Sequence, residues 1–172
     1  VNGISVQSIT GNGDKLWVGT SSGVEVYQFN SFSLNRIGRI PRIIEQEVIW
    51  KEDINALLYD EDGILWIGAS TNSLVGIKPD GDIIKLKVNG YVFSLVEDSQ
   101  GRIWFGTWGQ GIGYFDKTSK EVEQYNLNPK HMLNLSRDIV LSLCIDSKGY
   151  LWIGTKGGGV NVARIEDVVE RK

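Results

Sequence analysis

The sequence predicts an all-β fold in which a four-stranded antiparallel sheet is repeated four times. Three observations lead to this prediction. The segment Leu-Trp-Ile-Gly-Thr at 151–155 recurs in closely similar form at 16–20, 65–69 and 103–107. The 172 residues include 21 glycines and 6 tryptophans but only 3 prolines. Short apolar runs are separated by glycine-containing turns, a pattern typical of strands and hairpins rather than of long helices.

The spacing of the repeated tryptophans predicts the architecture. Trp17, Trp66, Trp104 and Trp152 follow one another at intervals of 49, 38 and 48 residues, and a period of about 40–50 residues is typical of β-propeller blades. Four antiparallel strands repeated radially form such a propeller. We therefore expect a single β-propeller segment over 1–172, either a partial propeller or a small one. The expected blades occupy approximately 4–40, 54–88, 92–126 and 139–172.

Three of the four repeats begin with a regular hairpin. An apolar strand A ends at an aspartate, which opens a four-residue turn closed by glycine; the turns are Asp60–Gly63, Asp98–Gly101 and Asp146–Gly149. The aspartate carboxylate accepts hydrogen bonds from nearby backbone amides, and glycine tolerates positive φ at the last position. Strand B follows with the tryptophan. The first repeat has Gly11–Asp14 in this place, without an aspartate in register, so a different turn is expected there.

Two further strands complete each predicted sheet. The C strands are predicted at Val24–Tyr27, Leu74–Ile77, Ile112–Phe115 and Val160–Ala163. The D strands are predicted at Ser33–Ile40, Asp82–Val88 and Glu121–Asn126. In the last repeat this place is taken by Arg164–Lys172, whose mixed charges and weak alternation leave three alternatives open: half a strand, a short helix or a frayed tail.

The recurring residues are interpreted as structural. An indole buries on the order of 200 Å², which corresponds to about 5 kcal/mol of gross stabilisation per blade. The glycine two residues later lets a neighbouring element approach closely. The residues assigned to this packing between blades are Trp17, Trp66, Trp104, Trp152, Gly19, Gly68, Gly106 and Gly154, with Asp60, Asp98 and Asp146 at the turns. Cys144 lies in an apolar run and is expected to be inert core packing.

Composition argues against several classes of protein. The net charge is −3 without a dense cluster of lysine and arginine, so neither nucleic acid nor an anionic membrane is expected as a partner. A single cysteine excludes an internal disulfide, and no apolar run approaches the about 20 residues of a membrane helix. His131, the one histidine, is expected at the surface. No cofactor, metal or catalytic residue is predicted.

Residues 140–160 read Val-x-Ser-Leu-x-x-Asp-x-x-Gly-x-Leu-Trp-Ile-Gly-Thr-x-x-Gly-Gly-Val, and this pattern resembles the two-component regulator propeller repeat. Residues 92–112 match nearly as well. Residues 54–77 carry Ala69 in place of threonine and lack the paired glycines, and the first repeat matches only from Leu16 onward. The Asp-x-x-Gly-x-Leu-Trp stretch is also similar to the Asp-box of sialidases, which is a structural hairpin and does not imply glycosidase activity.

The family resemblance implies a location and a function. Family members form the periplasmic sensor region of hybrid histidine kinases in Bacteroides-type bacteria, with more repeats than this chain has, followed by a further β domain, a membrane helix and kinase modules. They are similar to detectors of carbohydrate breakdown products, often oligosaccharides. The resemblance therefore implies a propeller fragment or a small stand-alone relative, connected to a membrane only through a parent chain. A chain that starts with Val1 agrees with an excised or processed piece.

Successive strands of a sheet run in opposite directions, so alternate turns lie on opposite faces, and this predicts where a ligand would bind. The regular A–B turns lie on one face, whereas the B–C turns and D–A connections lie on the other, including the long insertions Pro41–Asp53 and Leu127–Asp138. Binding residues concentrate on irregular loops that a rigid scaffold carries. The candidate ligand-binding residues on this face are Trp108, Gln110, Lys156, Asn72 and Trp50. Trp108 could stack on a sugar while Gln110 or Lys156 bonds its hydroxyl or acid groups; alternatively, Trp108 packs on the loop of the next blade and Trp50 anchors its own loop.

Three functions remain in competition. The first is a non-catalytic sensor segment that binds a carbohydrate-like ligand in the periplasm. The second is an interaction or scaffold module, because four blades are few and open sheet edges favour pairing with further blades of a parent chain or with a second copy. The third, a propeller lyase or hydrolase, requires clustered acid and base residues, whereas the recurring aspartates have a structural explanation at their turns.

Overall fold

The computed structural model describes residues 5–40, 43–44, 47–48, 53–126 and 135–170. Within these residues the chain forms seventeen strands and one short helix, which confirms the all-β prediction. All strand pairs are antiparallel, and successive strands are neighbours in their sheets. The chain divides into two compact units, Val1–Lys87 and Val88–Lys172. Trp50 and His131 lie outside the described residues.

The first unit contains two four-stranded sheets. The strands of the first sheet are β1 (Val6–Asn12), β2 (Lys15–Thr20), β3 (Gly23–Asn30) and β4 (Ser33–Ile40). A two-stranded ribbon follows, formed by β5 (Ile43–Ile44) and β6 (Glu47–Val48). The strands of the second sheet are β7 (Ile54–Tyr59), β8 (Leu65–Ala69), β9 (Ser73–Ile77) and β10 (Ile83–Lys87). Each sheet is a simple meander because only short turns connect its strands.

The second unit contains a four-stranded and a three-stranded sheet among its described residues. The strands of the third sheet are β11 (Tyr91–Glu97), β12 (Ile103–Trp108), β13 (Ile112–Phe115) and β14 (Val122–Tyr125). The strands of the fourth sheet are β15 (Val140–Ile145), β16 (Tyr150–Thr155) and β17 (Gly159–Arg164). The helix α1 (Ile165–Val169) follows β17. Of the three alternatives for the last segment, the structure therefore has a short helix.

The Asp-x-x-Gly turns have the same geometry in three repeats. The glycine amide donates to the aspartate carbonyl at 2.9–3.1 Å, and Gly63, Gly101 and Gly149 have φ of 75–79°. Such positive φ favours glycine, because a Cβ would clash with the backbone. The first repeat turns differently: Asn12 pairs with Lys15 across a two-residue hairpin loop.

The turn aspartate also binds the repeated tryptophan, a contact that the sequence analysis missed. In the second repeat, Asp60 Oδ1 accepts the Ile64 amide at 2.7 Å, and Asp60 Oδ2 accepts the Trp66 indole Nε1–H at 2.8 Å. The same indole bond joins Trp104 to Asp98 at 2.8 Å and Trp152 to Asp146 at 3.1 Å. One carboxylate therefore connects the turn to strand B in each of these hairpins.

Each sheet has a tryptophan face, which carries the repeated indole, and an opposite face. The first core contains Trp17, Val24 and Val26 from the tryptophan face of the first sheet, and Ile54, Leu57, Leu65, Ile67, Ala69 and Val75 from the opposite face of the second. The second core contains Trp104, Ile112 and Tyr114 from the tryptophan face of the third sheet, Val140, Leu151 and Ile153 from the opposite face of the fourth, and Leu135, Ile165 and Val168. The second sheet thus covers the repeated indole of the first sheet, and the fourth sheet covers that of the third.

The glycine of the repeat permits this packing. A Cβ at Gly19 would lie 2.8 Å from Ile54 of the second sheet, and a Cβ at Gly106 would collide with Val140 of the fourth sheet. Since these contacts involve branched core side chains, a larger residue would force the two sheets apart.

Trp152 does not fit the expected role. Its side chain is 44% exposed, whereas Trp17, Trp66 and Trp104 are buried. The expectation that each repeated tryptophan packs against a neighbouring blade is therefore wrong for Trp152: among the described residues, no further sheet covers the tryptophan face of the fourth sheet.

Cys144 is also misplaced by the sequence analysis, because its side chain is exposed rather than part of the core. It pairs with Trp152 across β15 and β16, so both side chains lie on the tryptophan face of the fourth sheet. Successive residues of a strand point to opposite faces, and an apolar run therefore sends every second side chain to the face that stays open.

A β-bulge recurs near the start of the first strand of each of the four sheets that carry a repeated tryptophan. The register shifts between Val6 and Ser8 in β1, and at the corresponding places in β7, β11 and β15. The bulge adds one residue to the first strand relative to its partner and increases the local twist.

Candidate functional site

The turn that carries Trp108 is fixed by a dense set of backbone bonds. Trp108 ends β12, and its backbone forms a bridge with Ile139. The amides of Gly109 and Gly111 both donate to the Asp138 carbonyl, at 3.1 and 2.9 Å. Gly111 has φ +72°, and a Cβ there would collide with the carbonyl of Tyr125. Only glycine fits this position, and these bonds fix the backbone of the turn that carries Trp108.

The Trp108 ring contacts both an aromatic ring and a cation. It is 38% exposed and packs on Phe93, with ring centroids 5.2 Å apart and an angle of 40° between the planes. The Lys156 ammonium lies 4.4 Å from the ring centroid, the geometry of a cation–π contact. The predicted packing of Trp108 on the next repeat's loop is thus present, and the ring still reaches solvent.

Lys156 occupies the turn between β16 and β17, which corresponds to the Trp108 turn between β12 and β13. Its amide donates to the Ile139 carbonyl at 2.9 Å, so Ile139 contacts the backbones of both turns. Both side chains are exposed. The structure therefore brings together two candidate residues that lie 48 positions apart in the sequence.

Gln110 lies at the edge of the same surface. Its side chain is exposed, and its carbonyl accepts a bond from Gln124 Nε2 at 3.2 Å. Gln124 also exchanges two bonds with the backbone of Asn89, at 2.7 and 2.9 Å. Gln124 therefore ties the connection before β11 to the Trp108 turn, a positioning role that the sequence analysis missed because the three residues are distant in the chain.

A closed polar cluster lies beside the Lys156 turn. The Ser136 amide donates to Asn161 Oδ1 at 3.0 Å, and Asn161 Nδ2 donates to Ser136 Oγ at 2.9 Å. The hydroxyl groups of Ser136 and Thr155 are 3.1 Å apart. The cluster fixes the segment before β15 against β16 and β17. Sequence reasoning gave no signal for it, since each residue type is common in loops.

Two candidates remain. Asn72 is exposed in the turn between β8 and β9 of the first unit, and Trp50 lies outside the described residues. We name the surface formed by Trp108, Phe93, Lys156 and Gln110 the Trp108 surface.

A cavity of about 250 Å³ lies on the other face of the second unit, beside the Asp98–Gly101 and Asp146–Gly149 turns. Its charged lining residues are Arg102, Lys148, Arg164, Asp146 and Glu166. The Arg102 Nε donates to Asp98 at 2.7 Å, so this cation is already paired. The volume is below the about 300–1,000 Å³ of most small-molecule sites, and the mixed charges favour no ligand of one sign.

Comparisons with known proteins identify the class of the repeats. The family model described as two component regulator propeller matches residues 51–71, 86–109 and 134–157. These segments contain the Asp-x-x-Gly turns and strands B of the second, third and fourth repeats. Three of the four repeats therefore match the two-component regulator propeller repeat, whereas the first repeat lies outside the matched segments.

Solved structures extend the comparison to nearly the whole chain. The extracellular domain assigned to the hybrid two component system BT3049 of B. thetaiotaomicron is 26% identical, with a TM-score of 0.76, over 96% of this chain and 22% of that one. The extracellular domain assigned to the one component system BT4673 of the same organism is 19% identical, with a TM-score of 0.63, over 92% of this chain and 27% of that one. This chain thus spans about a quarter of these structures.

The fold is also similar to that of a protein about as long as this chain. The computationally designed Ika4 protein has a TM-score of 0.64 at 15% identity, over 96% of this chain and 94% of its own. No curated protein matches the sequence. None of the described residues form a helix with the length and apolarity needed to span a membrane.

Proposed function

We propose that this chain is a non-catalytic, ligand-sensing propeller segment of a two-component sensor in the periplasm, and that a carbohydrate-derived ligand binds to the Trp108 surface. The observation that carries the proposal is the exposed Trp108 ring, which contacts Phe93 and Lys156 and lies on a turn fixed by Gly109 and Gly111. The family of the repeats and the extracellular neighbours support the sensor role and the compartment.

The chemistry of the Trp108 surface suits a sugar ring. A pyranose has an apolar C–H face that can stack on an indole, and its hydroxyl groups need hydrogen-bond partners at the rim. Lys156 and Gln110 supply a cation and an amide at that rim. The exposed cation–π contact of Lys156 is worth only about 0.5–1 kcal/mol. An arriving ligand can therefore displace the ammonium from the ring and accept a hydrogen bond from it.

Signal transmission belongs to a larger protein in this proposal. The chain spans about a quarter of the extracellular domains that it matches, so it would supply part of a sensing surface rather than the complete switch. The recurring aspartates accept hydrogen bonds from the indole groups of their own hairpins. This structural role explains why they recur and favours a binding function over a lyase or hydrolase.

Isothermal titration of the folded chain against a panel of oligosaccharides tests the proposal. We expect at least one oligosaccharide to bind, and the Trp108→Ala substitution to weaken that binding by about fivefold or more, because stacking on one aromatic ring contributes on the order of 1–3 kcal/mol. Phe32→Ala is the matched control, since Phe32 is a fully exposed aromatic residue in the first unit.

Circular dichroism establishes that the wild-type chain and both variants are folded. The proposal fails if no member of the panel binds the folded wild-type chain, or if Trp108→Ala binds as tightly as Phe32→Ala.

A further inference from the structure

The tryptophan face of the fourth sheet is an exposed apolar surface. Val160 and Val162 of β17 lie beside Gly154 and Trp152 and are 68% and 52% exposed. In the first sheet, the corresponding valines of β3 are buried against the second sheet. A contiguous apolar surface of this kind is typical of a protein interaction site.

The first unit shows how the chain covers such a face. Strand β7 lies over the tryptophan face of the first sheet, with Ile54 against the space left by Gly19. The Ser8 hydroxyl accepts the Leu57 amide at 2.9 Å. The second unit repeats this packing, with β15 over the third sheet, but Ser94, at the position of Ser8, has no hydrogen-bond partner among the described residues there. The covering element is in both cases the first strand of another repeat.

Strand β1 has the residues of a covering strand. Val6 pairs with Thr20 and Ile9 with Val18, the same register positions that Ile54 and Leu57 occupy in β7. Yet Val6 and Ile9 are 44% and 57% exposed, whereas Ile54 and Leu57 are buried. The chain therefore presents one uncovered tryptophan face and one unused covering strand.

We propose that these two surfaces bind each other between copies of this chain, so that β1 of one copy docks on the tryptophan face of the fourth sheet of a second copy. Val6 then lies over Gly154, and Ile9 packs beside Trp152. Ser142 occupies the position on the fourth sheet that Ser8 has on the first, and its hydroxyl accepts the amide of the incoming strand. The contact joins two different surfaces and is therefore heterologous.

The outer strands of the first sheet restrict where this contact forms. On its opposite face, Glu25 accepts a bond from the Tyr27 hydroxyl at 2.7 Å and lies 3.5 Å from Arg36 Nε. The second sheet has the apolar Val75 at the position of Glu25. Val18 of β2 and Glu25 of β3 are already buried on this face, whereas Val6 and Ile9 of β1 are exposed. The docking contact is therefore centred on β1.

A second copy is the occupant because the covering strand and the uncovered face belong to the same sequence. The bulge in β1 disfavours pairing of strand edges, so we place the contact on the sheet face instead of the open edges that the sequence analysis considered.

Sedimentation velocity over a wide range of protein concentration tests the proposal. We expect the wild-type chain to associate as concentration rises. Ile9→Glu and Val162→Glu each place a carboxylate in the apolar contact, and each weakens association by at least about tenfold. Phe32→Glu makes the same kind of change at an exposed residue outside both surfaces and leaves association unchanged. Circular dichroism confirms that the variants are folded.

Mixing the two variants tests whether the contact is head-to-tail. The Ile9→Glu chain keeps an intact fourth sheet, and the Val162→Glu chain keeps an intact β1, so the mixture regains association that neither variant has alone. Cys144 gives an independent readout, because its reaction with a thiol reagent slows as the face is covered.

Several results would overturn the proposal. They are a wild-type chain that stays monomeric at every concentration, variants that associate like the wild type, or a mixture that remains monomeric. The last result would indicate a contact between two identical faces, and the first would leave the fourth sheet to a different partner.

Discussion

The third and fourth sheets contain the same hairpin but use it in different surroundings. Trp104 and Trp152 both donate to the aspartate six residues earlier, at 2.8 and 3.1 Å. Trp104 is buried under the fourth sheet, whereas Trp152 is 44% exposed. The comparison shows that the repeat encodes the hairpin within itself, while the burial of its indole depends on the sheet that follows.

The buried hairpin also has an additional ion pair. Arg102 donates from Nε to Asp98 at 2.7 Å, and both side chains are nearly buried. The fourth repeat has Tyr150 in the place of Arg102. Among the residues that the structure describes, the carboxylate of Asp146 in the exposed hairpin accepts hydrogen bonds from neutral donors only. A comparison of the two sheets therefore separates local from inter-sheet contributions to stability.

Truncating the two indoles is expected to give the largest difference. Trp104→Ala should lower the free energy of unfolding by about 3–5 kcal/mol, because it opens a cavity between two sheets. Trp152→Ala should cost no more than about 2 kcal/mol, since much of its surface is already in water. Urea unfolding at low protein concentration, followed by circular dichroism, measures both. Equal losses would contradict the assignment of Trp104 to an inter-sheet core.

The glycines two residues later sharpen the comparison. A Cβ at either Gly106 or Gly154 would meet a serine hydroxyl, but only at Gly106 would it also collide with Val140. We expect Gly106→Ala to destabilise the chain by about 1–3 kcal/mol. Gly154→Ala should cost less than about 1 kcal/mol, because the exposed Ser142 hydroxyl can rotate away.

Gly38→Ala is the control for this pair, because a Cβ there has open space. It should leave stability unchanged or raise it by about 0.4–1 kcal/mol, through the lower entropy of the unfolded chain. If Gly154→Ala were as destabilising as Gly106→Ala, the serine contact rather than the packing of the two sheets would explain the glycine.

Acid titration of the exposed hairpin should give the smallest effect. The Tyr150 amide and the Trp152 indole lower the pKa of Asp146 from its usual 3.8. A carboxyl group with a lowered pKa in the folded state stabilises the fold above its unfolded pKa, and this contribution is lost as pH falls through the folded value. The Trp152 indole N–H resonance should therefore shift with a midpoint below pH 3.8. In Asp146→Asn that shift should vanish; if it persists, another group causes it.

The sequence predicted the hairpins well because their determinants are local. Aspartate and glycine three residues apart define the turn through a carboxylate acceptor and a positive φ. The Asp–Trp bond was missed although a signal existed: in three repeats an aspartate precedes the tryptophan by six residues, and the first repeat has Gly11 at that distance. Reading the turn and the indole as one unit would have predicted the bond.

The Trp108 surface was predictable only in part. Trp108 and Lys156 each follow a repeated tryptophan by four residues, so equivalent positions in successive repeats suggested that their turns lie near one another. The cation–π contact and the role of Gln124 depend on side-chain rotamers and on the connection before β11. The exposure of Trp152 and Cys144 was not predictable, because strand alternation does not say which face receives a neighbour.

The bulge at the start of β1, β7, β11 and β15 has a consequence for solubility. Each of these strands forms a border of its sheet, where unpaired amides and carbonyls can template the growth of aggregates. An extra residue twists that border and interrupts its regular ladder of hydrogen-bonding groups. The bulges therefore oppose edge-to-edge stacking of these similar hairpins into fibrils.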